Sequence, residues 1–150
     1  MTYDHHSTQV EYNGTTYYGH NAVITSTQMG HSHNLPTVSI HTKWGGGGGG
    51  IGSLILADYD SDSLTIRPFS FGIALLMEIL KVVGVENWEE LPHKNVVVLY
   101  DTQHSLGSLS VGISNILDGK NTLIFSDFRD KYFADILDPA VELYPLRFSK

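Results

Sequence analysis

The chain has 150 residues, no cysteine and a formal net charge of −7, from 16 acidic and nine basic residues. This charge disfavours binding to DNA or RNA polymers, which attract basic surfaces, and the absence of cysteine excludes disulfides, thiolate metal ligands and a cysteine nucleophile. A chain of this length is expected to form a single domain, residues 1–150, with its own hydrophobic core.

The first half of the chain has the pattern of an antiparallel β-meander. Residues 1–8 are predicted to be a loose leader, and they lack the basic and apolar segments of a signal peptide. Asn13-Gly14, between two runs of β-branched and aromatic residues, is the signal for a two-residue hairpin turn. Residues 29–36, which include a glycine and a proline, are predicted to form a loop. The predicted strands are 9–12, 15–18, 21–28, 37–44, 53–59 and 64–67, with a polar turn at 60–63.

After residue 70 the hydrophobic period changes from two residues to that of a helix. Ser70 is the predicted N-cap and Gly84 the predicted C-terminal stop of a long helix. The residues predicted to face the core are Ile73, Leu76, Met77, Leu80 and Val83. The apolar stretch is too short to cross a bilayer, so we expect no membrane partner. The absence of cysteine suits a cytosolic protein.

The remaining segments complete an α+β fold. Asn87 and Glu90 have the spacing of a capping box at the start of a short second helix, which Pro92 ends. Later segments are predicted as strands at 95–100, 109–116, 122–125 and 141–148, with a helical pattern at 127–137. The predicted fold class is therefore an antiparallel β-sheet meander packed against one long and one short α-helix.

Trp44 is followed by six consecutive glycines, 45–50, and by Gly52, so this segment holds seven of the 15 glycines. Without Cβ atoms the backbone can approach another group closely, and its N–H groups can form an anion-binding nest. A flexible linker or hairpin loop would have the same composition. Motifs for nucleotide phosphates fail, because no lysine follows Gly52 and a strand, not a helix, is predicted next. The segment is predicted to be a loop bordering a pocket or an interface.

Histidines and arginines provide the other candidate groups. His31 and His33 form an H-x-H pair, and His20 and His41 are expected near it. The spacing specifies no third zinc ligand, so we expect neither a metal ion nor another cofactor. Arg67 precedes the long helix, and Arg129 lies among aromatic residues. Guanidinium groups suit phosphates and aromatic rings suit bases, although surface arginines over core aromatics would give the same pattern.

Several segments in order also resemble one family. They are Ile24–Gly30 (ITSTQMG), Trp44 with the glycines, Leu56–Asp58 (LAD), Phe71-Gly72, Ile79–Val85 (ILKVVGV), Trp88–Leu91 (WEEL) and Lys94. Over about half of the chain, from Val23 to Lys94, this order is similar to the phage-encoded anti-Thoeris sponge proteins of the first type described. That family has the patterns STxLG, GGxxLD, FG and VGVxxWExLxGK. The chain departs from them at residues 31–34 and at His93, and it is hard to align after Asp101.

The resemblance implies a viral anti-defence protein that is not an enzyme. Such a protein binds and sequesters cyclic ADP-ribose isomers, and in some relatives cyclic oligonucleotides, as a dimer or hexamer in the host cytoplasm. No catalytic residue is expected. The ligand-binding residues predicted from the patterns together with the resemblance are Trp44, Gly46, Gly47, Gly48, Gly49, Gly50, Arg67, Phe71, His31 and Arg129.

Two alternatives remain open from the sequence. One is a metal- or histidine-dependent phosphodiesterase that degrades such a signal with His31, His33 and His41. The other is a phage interaction protein that binds no small ligand and uses the glycine run as a linker.

Overall fold

A computed structural model describes residues 7–32, 35–55, 57–60, 65–68, 70–102 and 109–136. Its elements are β1 (Ser7–Tyr12), β2 (Thr15–Ser32), β3 (Leu35–Trp44), β4 (Gly47–Ile55), β5 (Ala57–Asp60), β6 (Thr65–Pro68), α1 (Ser70–Val83), a 3-10 turn (Trp88–Glu90), β7 (Asn95–Tyr100), β8 (Gly112–Ser114), β9 (Thr122–Ile124) and α2 (Phe125–Ile136). The predicted α+β class with an antiparallel sheet is confirmed.

The long strand β2 organises the main sheet. The strand order is β4-β3-β2-β7-β8-β9, and β1 also pairs with β2. All of these pairs are antiparallel. At the turn between β1 and β2, Asn13 and Gly14 have φ angles of 50° and 79°, as the predicted two-residue turn requires. β5 and β6 form a separate two-stranded sheet, so the predicted return strand is also confirmed.

β2 is longer than its local sequence suggests. Residues 29–32, predicted to be a loop, continue the strand, because each pairs with a residue of β3 from Met29↔Val38 to Ser32↔Leu35. Ser7 and Thr8, predicted to belong to the leader, pair with His20 and Gly19. Ladder hydrogen bonds to a partner distant in sequence outweigh local loop signals in both places. Residues 1–6 lie outside the described part of the chain.

The buried face of α1 agrees only in part with the predicted one, since Leu80 is buried as predicted. Leu75 and Ile79 are 2% and 0% exposed, whereas Ile73 and Met77, predicted to face the core, are 63% and 61% exposed. Almost every turn of α1 carries apolar residues on more than one side, so periodicity alone allows two orientations. At its C-terminus, Gly84 has a φ of 89° and its N–H donates to the Leu80 carbonyl at 2.8 Å, which confirms the predicted stop. The Ser70 side chain lies outside the described part.

The segment between α1 and β7 is anchored at several points. The Glu90 carboxylate accepts hydrogen bonds from the backbone N–H groups of Asn87 and Glu86, both at 3.0 Å. These hydrogen bonds hold the pKa of Glu90 below its usual value, and the bond from Asn87 has the largest effect. The Trp88 indole donates to the Thr27 hydroxyl at 3.1 Å, and Leu91 is fully buried. The predicted capping spacing is confirmed, and it begins a single 3-10 turn.

The C-terminal elements follow the prediction with shorter strands. β8 covers three residues because the chain turns at Asn115, whose amide donates to the Val82 carbonyl of α1 at 2.8 Å. Phe125 begins α2 instead of ending β9. The predicted strand at 141–148 and most of the predicted turn at 60–63 lie outside the described residues. In the described part of the chain, no helix combines the length and apolar character needed to cross a membrane.

The core lies mainly on the side of the sheet that α1 covers. Its buried side chains come from every strand of the main sheet except β1, and from α1. A smaller cluster lies on the other side and includes Val10, Tyr17, Val97, Leu99 and Ile124. Alternation along β7 divides its residues between the two clusters, so Val98 and Tyr100 lie on the side of α1.

Candidate functional site

Three rings from three strands meet on the α1 side of the sheet. His20 of β2 pairs directly with Val98, which places it on the same sheet face as Tyr100 at the end of β7. The Trp44 ring, at the end of β3, is stacked on His20 with centroids 4.4 Å apart and planes inclined by 1°. Tyr100 meets His20 edge to face at 5.8 Å. We call His20, Trp44 and Tyr100 the aromatic group.

Most of the glycine run is a strand and not the predicted loop. Gly47 to Gly50 belong to β4, where they pair with residues 44 to 41 of β3 in reverse order. Only residues 45 and 46 form a turn, and Gly46 has a φ of 89°. The extended, paired backbone of Gly47 to Gly50 does not have the alternating conformation of an anion-binding nest. The neighbouring β3 supplies backbone partners that glycine composition alone does not reveal.

The aromatic group explains why two of these positions are glycine. A Cβ at Gly47 would lie 3.0 Å from Trp44 Nε1. A Cβ at Gly49 would lie 3.2 Å from the Tyr100 hydroxyl oxygen and 3.5 Å from Trp44 Cη2. Trp44 and Tyr100 therefore rest on backbone that carries no side chains. Gly50 differs, because a Cβ there would meet only the Ile40 carbonyl oxygen, at 3.9 Å.

This difference gives opposite expected effects for two neighbouring substitutions. Gly49→Ala should lower the free energy of unfolding by about 1 kcal/mol or more, because the methyl group must displace Tyr100 or Trp44. Gly50→Ala should raise it by about 0.4–1 kcal/mol, because alanine restricts the unfolded chain and meets no obstacle in the fold. Urea denaturation of both variants measures the two changes. Equal effects at the two positions would show that the aromatic group does not lie on Gly49.

Tyr100 is the most enclosed member of the aromatic group. Its side chain is 4% exposed, and burial raises the pKa of its phenol, so the hydroxyl keeps its proton at neutral pH. Beside it, the Thr42 hydroxyl donates to the Gly49 carbonyl at 2.8 Å, which fixes the backbone below the ring. Within the part of the chain that the structure describes, no hydrogen bond reaches the Tyr100 hydroxyl.

The predicted ligand-binding role of Phe71 does not agree with its position. Phe71 lies in the first turn of α1 and is 9% exposed. Its ring contacts Phe128 and Tyr132 of α2, with centroid distances of 5.8 and 5.5 Å. These contacts pack α2 against α1 and occupy the ring surface that a base would need. Phe71 is therefore part of the core in this structure.

The two predicted phosphate-binding arginines lie apart from the aromatic group's strands. Arg129 is on the exposed side of α2, where its guanidinium lies 3.4 Å from the Asp130 carboxylate and both side chains are more than half exposed. Arg67 lies in β6, with its backbone opposite Asp58, and its side chain is outside the described part. In the described structure, Arg129 has no ion pair except that with Asp130.

His31 is far from Trp44, and the two predicted positions His31 and His41 are far from each other. His31 pairs with Pro36, which is eight residues before Trp44 on β3, or about 26 Å at ~3.3 Å per residue. His41 pairs with Ser26, five residues before His31 on β2, so the two histidines are roughly 16 Å apart. His33 lies outside the described residues. Among those that are described, no three His, Asp or Glu side chains gather to hold a metal ion.

The arrangement is suited to stacking and to a small number of hydrogen bonds. Of the predicted ligand-binding residues, the structure brings together Trp44, Gly47 and Gly49. It adds Tyr100, which no sequence pattern selects, and His20, which the sequence places only among the histidines near the H-x-H pair. Only the strand register unites these five residues. No protein-family model, curated protein or solved structure matches this chain.

Proposed function

We propose that the protein binds a small cyclic nucleotide and sequesters it without cleaving it. The observation that carries the proposal is the stack of Trp44 on His20 over side-chain-free backbone. Trp44 is only partly buried, so part of its surface is accessible to another flat ring. Every nucleobase has a π-face, and stacking on aromatic side chains is a common way to bind one.

The net charge and the family resemblance reduce the number of ligand classes to consider. A net charge of −7 disfavours a polymer of phosphates, whereas a small ligand needs only a few well-placed polar groups. The similarity to the anti-Thoeris sponge proteins supports a cyclic ADP-ribose isomer, with cyclic oligonucleotides as the second ligand class. On this proposal the protein is a phage anti-defence protein that acts in the host cytoplasm.

A homo-oligomer, either a dimer or a hexamer, is part of the same proposal. Ile73 and Met77 lie one turn apart on α1 and expose about three-fifths of their surface. Apolar residues this exposed on one helix face are typical of surfaces that another chain covers. The proposal therefore includes contacts between copies of the chain, which sedimentation or light scattering can measure.

Sequestration is favoured over cleavage by the positions of the histidines. The phosphodiesterase alternative needs His31, His33 and His41 to act together, but His31 and His41 are roughly 16 Å apart along the sheet. Binding requires no general base and no nucleophile. Preorganised rings on a rigid strand pair are sufficient, because they lose little freedom when the ligand binds.

A thermal-shift panel tests the proposal. The wild-type protein should melt at a higher temperature with at least one of cyclic ADP-ribose, its isomers, or cyclic di- and trinucleotides. A ligand at about a hundredfold over its dissociation constant stabilises the folded state by roughly 2.7 kcal/mol. Mass spectrometry of the recovered nucleotide should find it intact. The same panel with Arg67→Ala and Arg129→Ala tests the two predicted phosphate partners.

Two results would contradict the proposal. A cleaved nucleotide would establish the phosphodiesterase alternative. A panel without any shift would favour an interaction protein that binds no small ligand, with the glycine strand serving only to pack Trp44 and Tyr100.

A further inference from the structure

We propose that the Tyr100 hydroxyl is the polar group that orients a nucleobase at the aromatic group. This inference rests on the proposed function and deepens it, because it names a specificity-determining residue. Stacking on Trp44 and His20 accepts any flat ring. A directed hydrogen bond from a fixed hydroxyl would select among rings by the polar atoms on their edges.

The position of the hydroxyl is fixed by the fold on several sides. Tyr100 ends the buried strand β7 and pairs with Tyr18 of β2. Its oxygen lies over the bare backbone at Gly49, 3.2 Å from where a Cβ would stand. Its ring meets His20 edge to face at 5.8 Å. The oxygen is thereby held between the glycine strand and the stack of Trp44 on His20.

The Tyr100 oxygen stays open to water although the residue as a whole is buried. Tyr100 is 4% exposed, and in the described part of the chain no hydrogen bond reaches its oxygen. That oxygen is nevertheless not one of the buried polar atoms that lack a partner there, so the small exposed area of the residue includes the hydroxyl. A phenylalanine would fill the same ring volume but would leave this point of the surface without a hydrogen-bonding group. A ligand ring on the stack can replace the water at the hydroxyl and take its hydrogen bond.

The geometry also defines the class of ligand. A tyrosine hydroxyl can donate one hydrogen bond and accept others, so it matches a ring edge that carries nitrogen or an amino group. The nearby Trp44 and His20 rings require that edge to belong to a flat, stackable ring. A nucleobase of the adenine type has both properties. A sugar or a simple phosphate has no flat ring and would not use the stack.

Tyr100→Phe tests the inference with cyclic ADP-ribose and cyclic di-AMP as probes. The affinity of the variant for the probe that the wild-type protein binds should be about tenfold lower. This is the loss expected for one hydrogen bond. Without nucleotide its melting temperature should be close to that of the wild type, because the hydroxyl has no hydrogen bond to lose within the described part of the chain. Calorimetric titration measures the affinity, and differential scanning measures the stability.

Tyr18→Phe is the matched control, since Tyr18 lies directly across from Tyr100 in the sheet and is more exposed. It should keep wild-type affinity. If Tyr100→Phe also binds like the wild type, or if it is clearly less stable without nucleotide, the inference is overturned while nucleotide binding stands. If the wild-type protein binds neither probe nor any other nucleotide of the panel, the proposed function fails and the inference fails with it.

Discussion

Ile79→Ala should lower the free energy of unfolding by about 2–5 kcal/mol, and Ile73→Ala should change it by no more than about 0.5 kcal/mol. The two substitutions remove the same atoms from the same helix. Ile79 is 0% exposed, whereas Ile73 is 63% exposed. Removing a buried side chain loses its transfer free energy and leaves a cavity, and removing an exposed one does neither.

Urea denaturation of the two variants, with the midpoint and slope fitted separately, measures both changes. The comparison is controlled for helix propensity, because the replacement is isoleucine by alanine in both cases. A large loss at Ile73 with a small loss at Ile79 would mean that α1 faces the sheet as its periodicity predicted. Protein concentration should be varied, since an oligomer that covers Ile73 would make its effect depend on concentration.

The orientation of α1 shows where sequence reasoning reached its limit. The helix itself was predictable, because apolar spacing and a glycine stop specify a helix from 70 to 83. Its buried side was not, because Leu75 and Ile79 form one apolar stripe and Ile73 and Met77 form another. The choice between two apolar stripes depends on the shape of the sheet and of α2, which local spacing does not contain.

The strands also depend partly on local sequence and partly on pairing with residues that are distant in sequence. Asn13-Gly14 specified its hairpin because the turn needs two residues with positive φ, which is a local property. The strand character of Gly47 to Gly50 was missed because glycine disfavours strands. Those glycines are strand residues because β3 pairs with them and because Trp44 and Tyr100 need the space above two of them.

The candidate site was only partly predictable for the same reason. Trp44 and the glycines are adjacent in sequence, so their association could be inferred. His20 and Tyr100 reach Trp44 only through the pairing of β2 with β3 and with β7. His31 and Phe71 carry suitable side chains but lie, respectively, at the far end of β2 and within the packing of α1 against α2.

Trp44→Leu should weaken nucleotide binding by about 5- to 150-fold, since stacking of one base on an aromatic side chain contributes ~1–3 kcal/mol. Leucine keeps an apolar side chain against Gly47 and Gly49 but removes the ring that stacks on His20. The affinity to measure is that for the nucleotide which most stabilises the wild-type protein in the panel. Trp44→Phe should retain part of the binding, because a smaller ring still offers a stacking face.

Trp88→Phe provides the control, because Trp88 is the other tryptophan and donates to Thr27 away from the aromatic group. It should lose some stability with its hydrogen bond and keep its affinity. It also leaves Trp44 as the single tryptophan, so quenching of the remaining fluorescence on nucleotide addition would report contact with that ring. Unchanged affinity in folded Trp44→Leu, or fluorescence that does not respond to a bound nucleotide, would place the ligand elsewhere. In that case the packing of Trp44 and Tyr100 would be the whole reason for the glycine strand.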